Sequence, residues 1–312
     1  MSTQHPSKQH RAGFVSIAGR PNAGKSTLLN ALVGEKVAIT AHQAQTTRTS
    51  IQGVMTTPEA QVIFIDTPGI HKSDSLFNKR MMDTVRGALQ DRDLVIFVAD
   101  ATKPVTEEDE HALSALNKTG QTLLVLNKID KVSDKRLLLP VLQRYNELFP
   151  FSEAFPIAAR KGEGLDELKK GIIKHLPGGP AIFPNDYLTD QPARFMAAEI
   201  IRESILENLR EEVPHATAIL VDTWEEKPKL VKIAATIYVE RAGQKAILIG
   251  AQGQMLKKIG TAARLELERL LSNKIFLSLF VKVKPNWRED PSFLNSIDWR
   301  SMVGSEDQSS KE

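Results

Sequence analysis

The sequence predicts an α/β domain with a mixed, mostly parallel sheet covered by helices on both faces, followed by a smaller α+β domain. Three observations carry this. Gly19-Arg20-Pro21-Asn22-Ala23-Gly24-Lys25-Ser26 fits Gly-x4-Gly-Lys-[Ser/Thr] without a mismatch, between an apolar strand-like run and an apolar helical pattern. Short continuous apolar runs then alternate with helical patterns, as buried parallel strands and their crossover helices do. Pro177-Gly178-Gly179-Pro180 breaks that rhythm, and far beyond it Gly250-x-x-Gly253 stands between an apolar run and a helical pattern.

Taken in order, Phe14–Ala18 reads as the first buried strand, and Thr27–Val33 as a helix stopped by Gly34. The polar run Ala41–Arg48 is a loop. Ser50–Met55 and Gln61–Ile65 are strands joined by a turn at Thr57-Pro58-Glu59. Leu76–Gln90 is a helix, Leu94–Ala99 a strand buried on both faces, and Glu107–Leu116 a helix whose start is Thr106-Glu107-Glu108-Asp109. Thr122–Leu126 is a further buried strand, Leu137–Leu148 a helix, Ala154–Ala158 the last strand and Leu165–Leu176 the closing helix. After the Pro-Gly boundary comes an amphipathic helix over Phe195–Glu211, with Phe195, Ala198, Ile201, Ile205 and Leu209 at intervals of three and four. Strands over Thr217–Thr223 and Val231–Val239, a helix over Gln254–Leu271 and a strand over Ile275–Lys284 complete the second domain.

The glycine loop is built for anion capture. Glycine lets successive backbone N–H groups turn inward on phosphate oxygens, and the positive end of the next helix adds to the field. Lys25 reaches the β- and γ-phosphates, and the Ser26 hydroxyl ligates Mg²⁺. The strand ending in Asp66-Thr67-Pro68-Gly69 puts a carboxylate where such sites organise the metal, and the Gly69 N–H where it meets the γ-phosphate. Alone, this tetrapeptide is an unremarkable turn; about 40 residues after a phosphate loop it is far more specific.

Thr122–Leu126 runs straight into Asn127-Lys128-Ile129-Asp130. Asn-Lys-x-Asp at a strand end, behind the two preceding motifs, resembles the guanine-recognition motif of the GTPase superfamily. The resemblance implies that Asp130 accepts from guanine N1 and its exocyclic amine. Adenine lacks that donor pair, which argues against an ATP-driven machine. It also implies that Asn127 bridges base and phosphate loop, that Lys128 packs its stem on the base, and that the backbone at Ala158 and Ala159 meets guanine although the usual serine is missing. Gly19, Asn22, Ala23, Gly24, Lys25, Ser26 and Thr27 would line the phosphates. Thr47, favoured over Thr46, would join Ser26 and Asp66 on Mg²⁺, and loss of the γ-phosphate would release that loop. Ras-like enzymes place a glutamine after the Asp-x-x-Gly glycine; here it is Ile70. The chain thus resembles the subclass with a hydrophobic residue there, which can use a K⁺ ion near an asparagine at the place of Asn22. Lys25, Asn22, Thr47 and Gly69 are the catalytic candidates, and slow intrinsic hydrolysis is expected.

In the second half, a Gly-x-x-Gly loop clamps about four nucleotides of single-stranded nucleic acid in KH domains. Gly250, Ala251, Gln252, Gly253, Lys257 and Lys258 are the RNA-binding candidates. Residues 246–284 hold seven Lys/Arg against two acids, whereas 181–312 hold 18 against 19. The positive charge is local to the loop, as an RNA-binding face requires. GTPase motifs, linker and KH pattern together, with Gln45-Thr46-Thr47-Arg48, Glu212-Val213-Pro214-His215 and Val281-Lys282-Val283-Lys284, resemble the Era family of GTPases from about Arg11 to Asp290. That resemblance implies an α/β P-loop GTPase domain followed by an α+β KH domain. It implies a factor for small (30S) ribosomal subunit assembly that binds the 3′ end of 16S rRNA, acts as a monomer in the cytoplasm, and associates peripherally with the inner membrane face. The competing reading is a GTP-regulated signalling protein whose second domain binds protein or membrane.

The expected organisation is a flexible arm over 1–11, the GTPase domain over 12–177, a linker over 178–190, the KH domain over 191–290 and an extension over 291–312 with a disordered tail. Composition agrees with two globular domains: 312 residues, 41% hydrophobic and 25% charged. There is no cysteine, which excludes disulfides, thiolate metal sites and thiol catalysis. No apolar run approaches the roughly 18 residues of a spanning helix, and residues 1–11 lack the apolar core of an export signal. A net charge of +3 and a pI near 8.9 are a weak pointer to nucleic acid.

Overall fold

A computed structural model describes residues 10–41, 43, 46–69, 75–90, 92–118 and 120–298. Its first sheet contains β1 (Arg11–Ala18), β2 (Ile51–Thr56), β3 (Ala60–Asp66), β4 (Leu94–Asp100), β5 (Thr122–Asn127) and β6 (Glu153–Pro156), in the order β2-β3-β1-β4-β5-β6. β2 pairs antiparallel with β3 and every other pairing is parallel. The helices between the strands are α1 (Lys25–Val33), α2 (Leu76–Leu89), α3 (Glu107–Ser114), α4 (Leu138–Leu148) and α5 (Leu165–His175).

The period of two along each strand explains the two-faced burial. Val15, Ile17, Ile96, Val98, Leu123 and Val125 point to one side, where they meet Leu28 and Leu32 of α1 and Leu168 and Ile172 of α5. Their neighbours Phe97, Ala99, Leu124 and Leu126 point to the other side, against Ala112 and Leu113 of α3 and Tyr145 of α4. Strands buried on both faces read as continuous apolar runs, which is why the sequence showed them so plainly. Parallel pairing aligns the carboxyl ends of β1, β3, β4 and β5 at one edge. The segments that follow β1, β3 and β5 are the three motifs of the sequence.

The second unit contains α6 (Ala193–Asn208), β7 (Ala218–Lys227), β8 (Leu230–Val239), α7 (Ala242–Ile249), α8 (Gln254–Leu271), β9 (Lys274–Val283) and α9 (Pro291–Ser296). Its sheet runs β7-β8-β9, antiparallel then parallel. Ile200, Ile201 and Ile205 of α6 and Ile259, Ala263 and Leu267 of α8 cover Ile233, Ala235 and Ile237 of β8. The apolar run before Gly250 is the end of a helix, α7, not a strand; a run so short does not by itself tell the two apart. The unit also continues past residue 290. Phe293 and Leu294 of α9 join the fully buried Trp287, whose indole N–H donates to the Ala216 carbonyl at 3.0 Å.

By contacts the chain divides into one unit of Met1–Ala38, Thr47–Lys72 and Met81–Asp190, and another of Ile39–Thr46, Ser73–Arg80 and Gln191–Glu312. The stretch 178–190 belongs to the first. There the buried Gln61 amide accepts from the backbone N–H groups of Ile182 and Phe183 at 2.7 and 2.8 Å, and the Phe183 and Tyr187 rings stack 4.5 Å apart. The second unit holds Ile39–Thr46 by polar contacts to α6. Glu203 accepts from Thr40 N at 2.8 Å, and the Gln43 amide donates to the carbonyls of Leu206 and Leu209 at 2.5 and 2.7 Å. Arg202, fixed by Glu199 at 2.8 Å, donates to the Thr46 carbonyl.

Candidate functional site

The first unit gathers the Walker-type loop, the end of β3 and residue 47 around a knot of hard oxygens. The Ser26 hydroxyl donates to Asp66 Oδ2 at 2.7 Å and lies 2.8 Å from Thr47 Oγ1, which itself donates to Asp66 Oδ2 at 3.0 Å. All three residues are buried. The other carboxylate oxygen, Oδ1, is buried with no hydrogen-bond partner. Burial drives the Asp66 pKa up, opposed by Lys25 and by the two hydroxyls. Two hydroxyls and one carboxylate with an unused oxygen fit a small divalent cation that completes its shell with water or phosphate. Among the described residues no cluster of three His, Cys, Asp or Glu exists that could hold a metal; a Mg²⁺ site of the phosphate-bound kind needs none.

Lys25 is buried beside this knot. Its ammonium donates to the carbonyls of Gly19 and Arg20 at 3.0 and 3.1 Å. Burial lowers its pKa to about 8, with Asp66 pulling upward and Arg20 pushing further down. Thr46 does not join the oxygens: its hydroxyl donates to the Gln43 carbonyl at 2.8 Å. Gly69 follows β3 where a Cβ would come within 2.7 Å of Pro21, so only glycine lets the two segments approach so closely. Ile70 lies outside the described residues, as do 1–9, Gln45 and everything from 299 on.

Asn127, at the end of β5, is the staple of the loop that follows this strand. Its Nδ2 donates to the Ala23 carbonyl at 3.0 Å, and its Oδ1 accepts from Lys128 N at 2.8 Å and Ala159 N at 3.1 Å. One side chain thus ties the phosphate loop to the segment after β6. The Ala159 N–H is engaged by Asn127, and the Ala158 N–H donates to the Glu163 carbonyl at 3.0 Å. Lys128 has φ 68° and reaches both the Asn22 carbonyl at 2.6 Å and Asp100 at 2.7 Å. Burial alone would raise the Asp100 carboxyl, but Lys128 and Thr102 outweigh it and hold the group below its ordinary range. Asp130 Oδ2 lies 3.6 Å from the exposed Lys161 ammonium. Asn22 is exposed, with φ 62°. Gly24 and Thr27 lie in the same loop–helix junction, where Gly24 carries the N-terminal end of α1.

Sequence reasoning missed Arg20, Asp100 and Asp109. Arg20 is 6% exposed and pairs with Asp109 at 3.1 Å and more distantly with Asp100, so a buried cation anchors the phosphate loop from behind. The signal was available: Thr106-x-x-Asp109 is a capping box, which placed Asp109 on the first turn of α3. Its second partner could not be read from local pattern, because Arg20 lies 89 positions away.

In the second unit, Gly250–Gly253 links α7 to α8. Gly250 has φ 71°, Gln252 φ 50° and Gly253 φ 76°, three positive-φ residues in four that turn the chain sharply between helices. Ala251 and Gln252 are exposed at the tip, and Lys257 and Lys258 are exposed on the first turns of α8, which carry no acid. Backbone N–H groups at a helix start with two lysines beside them suit a phosphate-bearing strand.

A family model described as 50S ribosome-binding GTPase matches residues 14–128, and one described as KH domain matches residues 212–288. GTPase Era of Geobacter metallireducens is 49% identical over 292 residues, 93% of this chain and 98% of its own length. GTPase Era of Ruminiclostridium cellulolyticum is 44% identical over 94% of this chain and 98% of its own. Among solved structures, Era in complex with MgGDPNP and nucleotides 1506–1542 of 16S ribosomal RNA superposes with a TM-score of 0.90 at 40% identity, over 93% of this chain and 99% of that one. An Aquifex aeolicus Era variant bound to GDP·AlF4⁻ superposes with a TM-score of 0.89 over the same shares.

Proposed function

The chain belongs to the Era family of GTPases, and we propose on that footing that it is an RNA-binding GTP switch of small-subunit ribosome assembly. In this reading Mg²⁺-GTP sits on the Gly19–Thr27 loop, with Ser26, Thr47 and Asp66 around the metal, Lys25 on the β- and γ-phosphates and Asp130 on the guanine edge. The Gly69 N–H meets the γ-phosphate. Asn22 would hold a K⁺ ion, which would supply the positive charge an arginine finger gives elsewhere, and intrinsic hydrolysis would be slow. Gly250–Gly253, Lys257 and Lys258 clamp the 3′ end of 16S rRNA; the relative's complex holds nucleotides 1506–1542 of 16S ribosomal RNA. The protein works as a monomer in the cytoplasm.

The observation that carries the switch reading is the split at residue 46. The Thr47 hydroxyl lies against Ser26 and Asp66, while the carbonyl of Thr46 is held by Arg202 of the second unit. A γ-phosphate that fixes Thr47 therefore bears, one peptide away, on a segment built into the other unit.

The test is titration of the full chain with a 16S rRNA 3′ fragment, beside a Gly253→Asp variant. A negative charge and a Cβ at a left-handed position facing phosphate should lower affinity at least about tenfold. Indifference to the substitution would hand the second domain to the signalling alternative.

A further inference from the structure

The second unit leaves two phenylalanine rings in water. Phe276 is 59% exposed and Phe280 54%, whereas Ile275 and Val281 are buried in the core beneath α6 and α8. The two-residue period of β9 therefore puts Lys274, Phe276, Ser278, Phe280 and Lys282 on the sheet face turned away from those helices. The far end of this face is closed: Phe293 of α9 packs on Tyr238 at 4.8 Å, with the Lys284 ammonium over its ring. The open end keeps its rings and its lysines.

Charge selects the occupant. β9 is an edge strand, paired only with β8, and it carries Lys274 and Lys282 on this face with no acid anywhere along it. Lys232 of β8 stands opposite Phe276 in register. The acids lie across the sheet on β7, where Asp222 accepts from the Thr236 hydroxyl at 2.8 Å and Glu225 stands opposite Lys232 in the strand register. An anionic strand is thus drawn along β9 and kept off β7. Lysines alone would be read as the usual guard of a free edge; they do not account for two aromatic rings beside them. The rings, four residues apart, are roughly 13 Å from each other with a serine between. That spacing breaks the apolar patch a lipid surface needs, and a second copy would bring lysine against lysine. It matches bases taken singly, each on its own ring.

We propose that this face of β9 is a second single-stranded RNA surface, on which Phe276 and Phe280 each stack one base while Lys274 and Lys282 neutralise phosphates. The proposal rests on the RNA-binding reading above and adds a site on the sheet face to the loop clamp.

Fluorescence anisotropy on the full chain with the 16S rRNA segment equivalent to nucleotides 1506–1542 tests it. Phe276→Ala with Phe280→Ala should weaken binding by at least about 25-fold, roughly fivefold per ring. Phe276→Trp with Phe280→Tyr keeps both π-faces and should restore most of the affinity. Lys274→Gln with Lys282→Gln should flatten the salt dependence by about 1.4 in log–log slope. GTP hydrolysis and the thermal melt should be unchanged in the aromatic variants, because both rings lie in solvent. If the alanine pair binds RNA as the parent does while Gly253→Asp weakens it, the sheet-face site is wrong and the loop clamp stands. If neither changes RNA affinity, the RNA-binding reading falls as well. Loss of binding to anionic vesicles, or of self-association, with RNA affinity intact would also overturn it.

Discussion

Asp130 shows how much chemistry one carboxylate can decide. It stands at the end of the Asn127-Lys128-Ile129-Asp130 segment with its side chain 16% exposed and Lys161 as its ionic neighbour. A carboxylate there offers two acceptors to two donors, and an amide offers one donor and one acceptor. Asp130→Asn is expected to lose on the order of 3 kcal/mol of GTP binding, roughly a hundredfold, and to gain affinity for xanthosine triphosphate. Calorimetry with both nucleotides checks this; retained preference for guanine would remove Asp130 from base recognition. The neighbouring residues also tie the surrounding loops together. Asn127 and Lys128 tie β5 to the phosphate loop through the carbonyls of Ala23 and Asn22. Arg20 ties the same loop to α3 through Asp109. Two side chains from the segment after β5 and one from the loop itself thus tie that loop to β5 and α3, so its N–H groups are set before any ligand is engaged, which is how preorganised anion sites avoid a later ordering cost.

At the scale of elements, α5 closes the GTPase sheet by approaching β6 very closely. Gly171 makes this contact: a Cβ there would meet the Phe155 ring, with Cε1 at 2.9 Å. Gly171→Ala brings two opposed effects. Helix propensity favours alanine by about 1 kcal/mol, and overpacking against a ring costs about 1–3 kcal/mol. Because the ring is wedged between helix and strand, the clash should win, with a net loss of about 1 kcal/mol in urea unfolding monitored on the intact chain. A gain in stability would mean that α5 can lift from β6 at little cost. The same argument explains why strands and long helices could be read from the residues alone. The apolar runs of β4 and β5 and the 3.6-residue pattern of α6 and α8 are local signals that burial on two faces or one stripe imposes. α7 and α9 gave no such signal, being too short for their period to be distinguished. They are helical because Leu248 and Phe293 find a core to enter, which is a tertiary fact.

For the whole molecule, the consequence of the split at residue 46 is coupling. Arg202, 2% exposed and clasped by Glu199, donates to Thr46, while Glu203 holds Thr40 and the Gln43 amide donates to the Leu206 carbonyl in the same unit. Arg202→Ala is expected to spare GTP binding within about threefold, since no described nucleotide contact is lost, but to reduce the difference in RNA affinity between GTP and GDP states severalfold. RNA titrations in both states decide it; an unchanged difference would mean that the segment carries no signal. Much of this protein could be known from its residues. The phosphate loop, Asp66, Asn127 and Asp130 are motifs of contiguous residues, and a motif is local by nature. Thr47 joins Ser26 and Asp66 as a candidate only through the resemblance to the GTPase family. What local pattern could not supply was everything that depends on distant partners: Arg20 with Asp109, Asn127 with Ala159, Arg202 with Thr46, and the exposure of Phe276 and Phe280, which looked like any other apolar positions in a strand. Only the tertiary structure decided which strand face is covered, which buried charge meets which, and to which unit the segment before Thr47 belongs, because each of these is fixed by packing between residues that the chain itself keeps far apart.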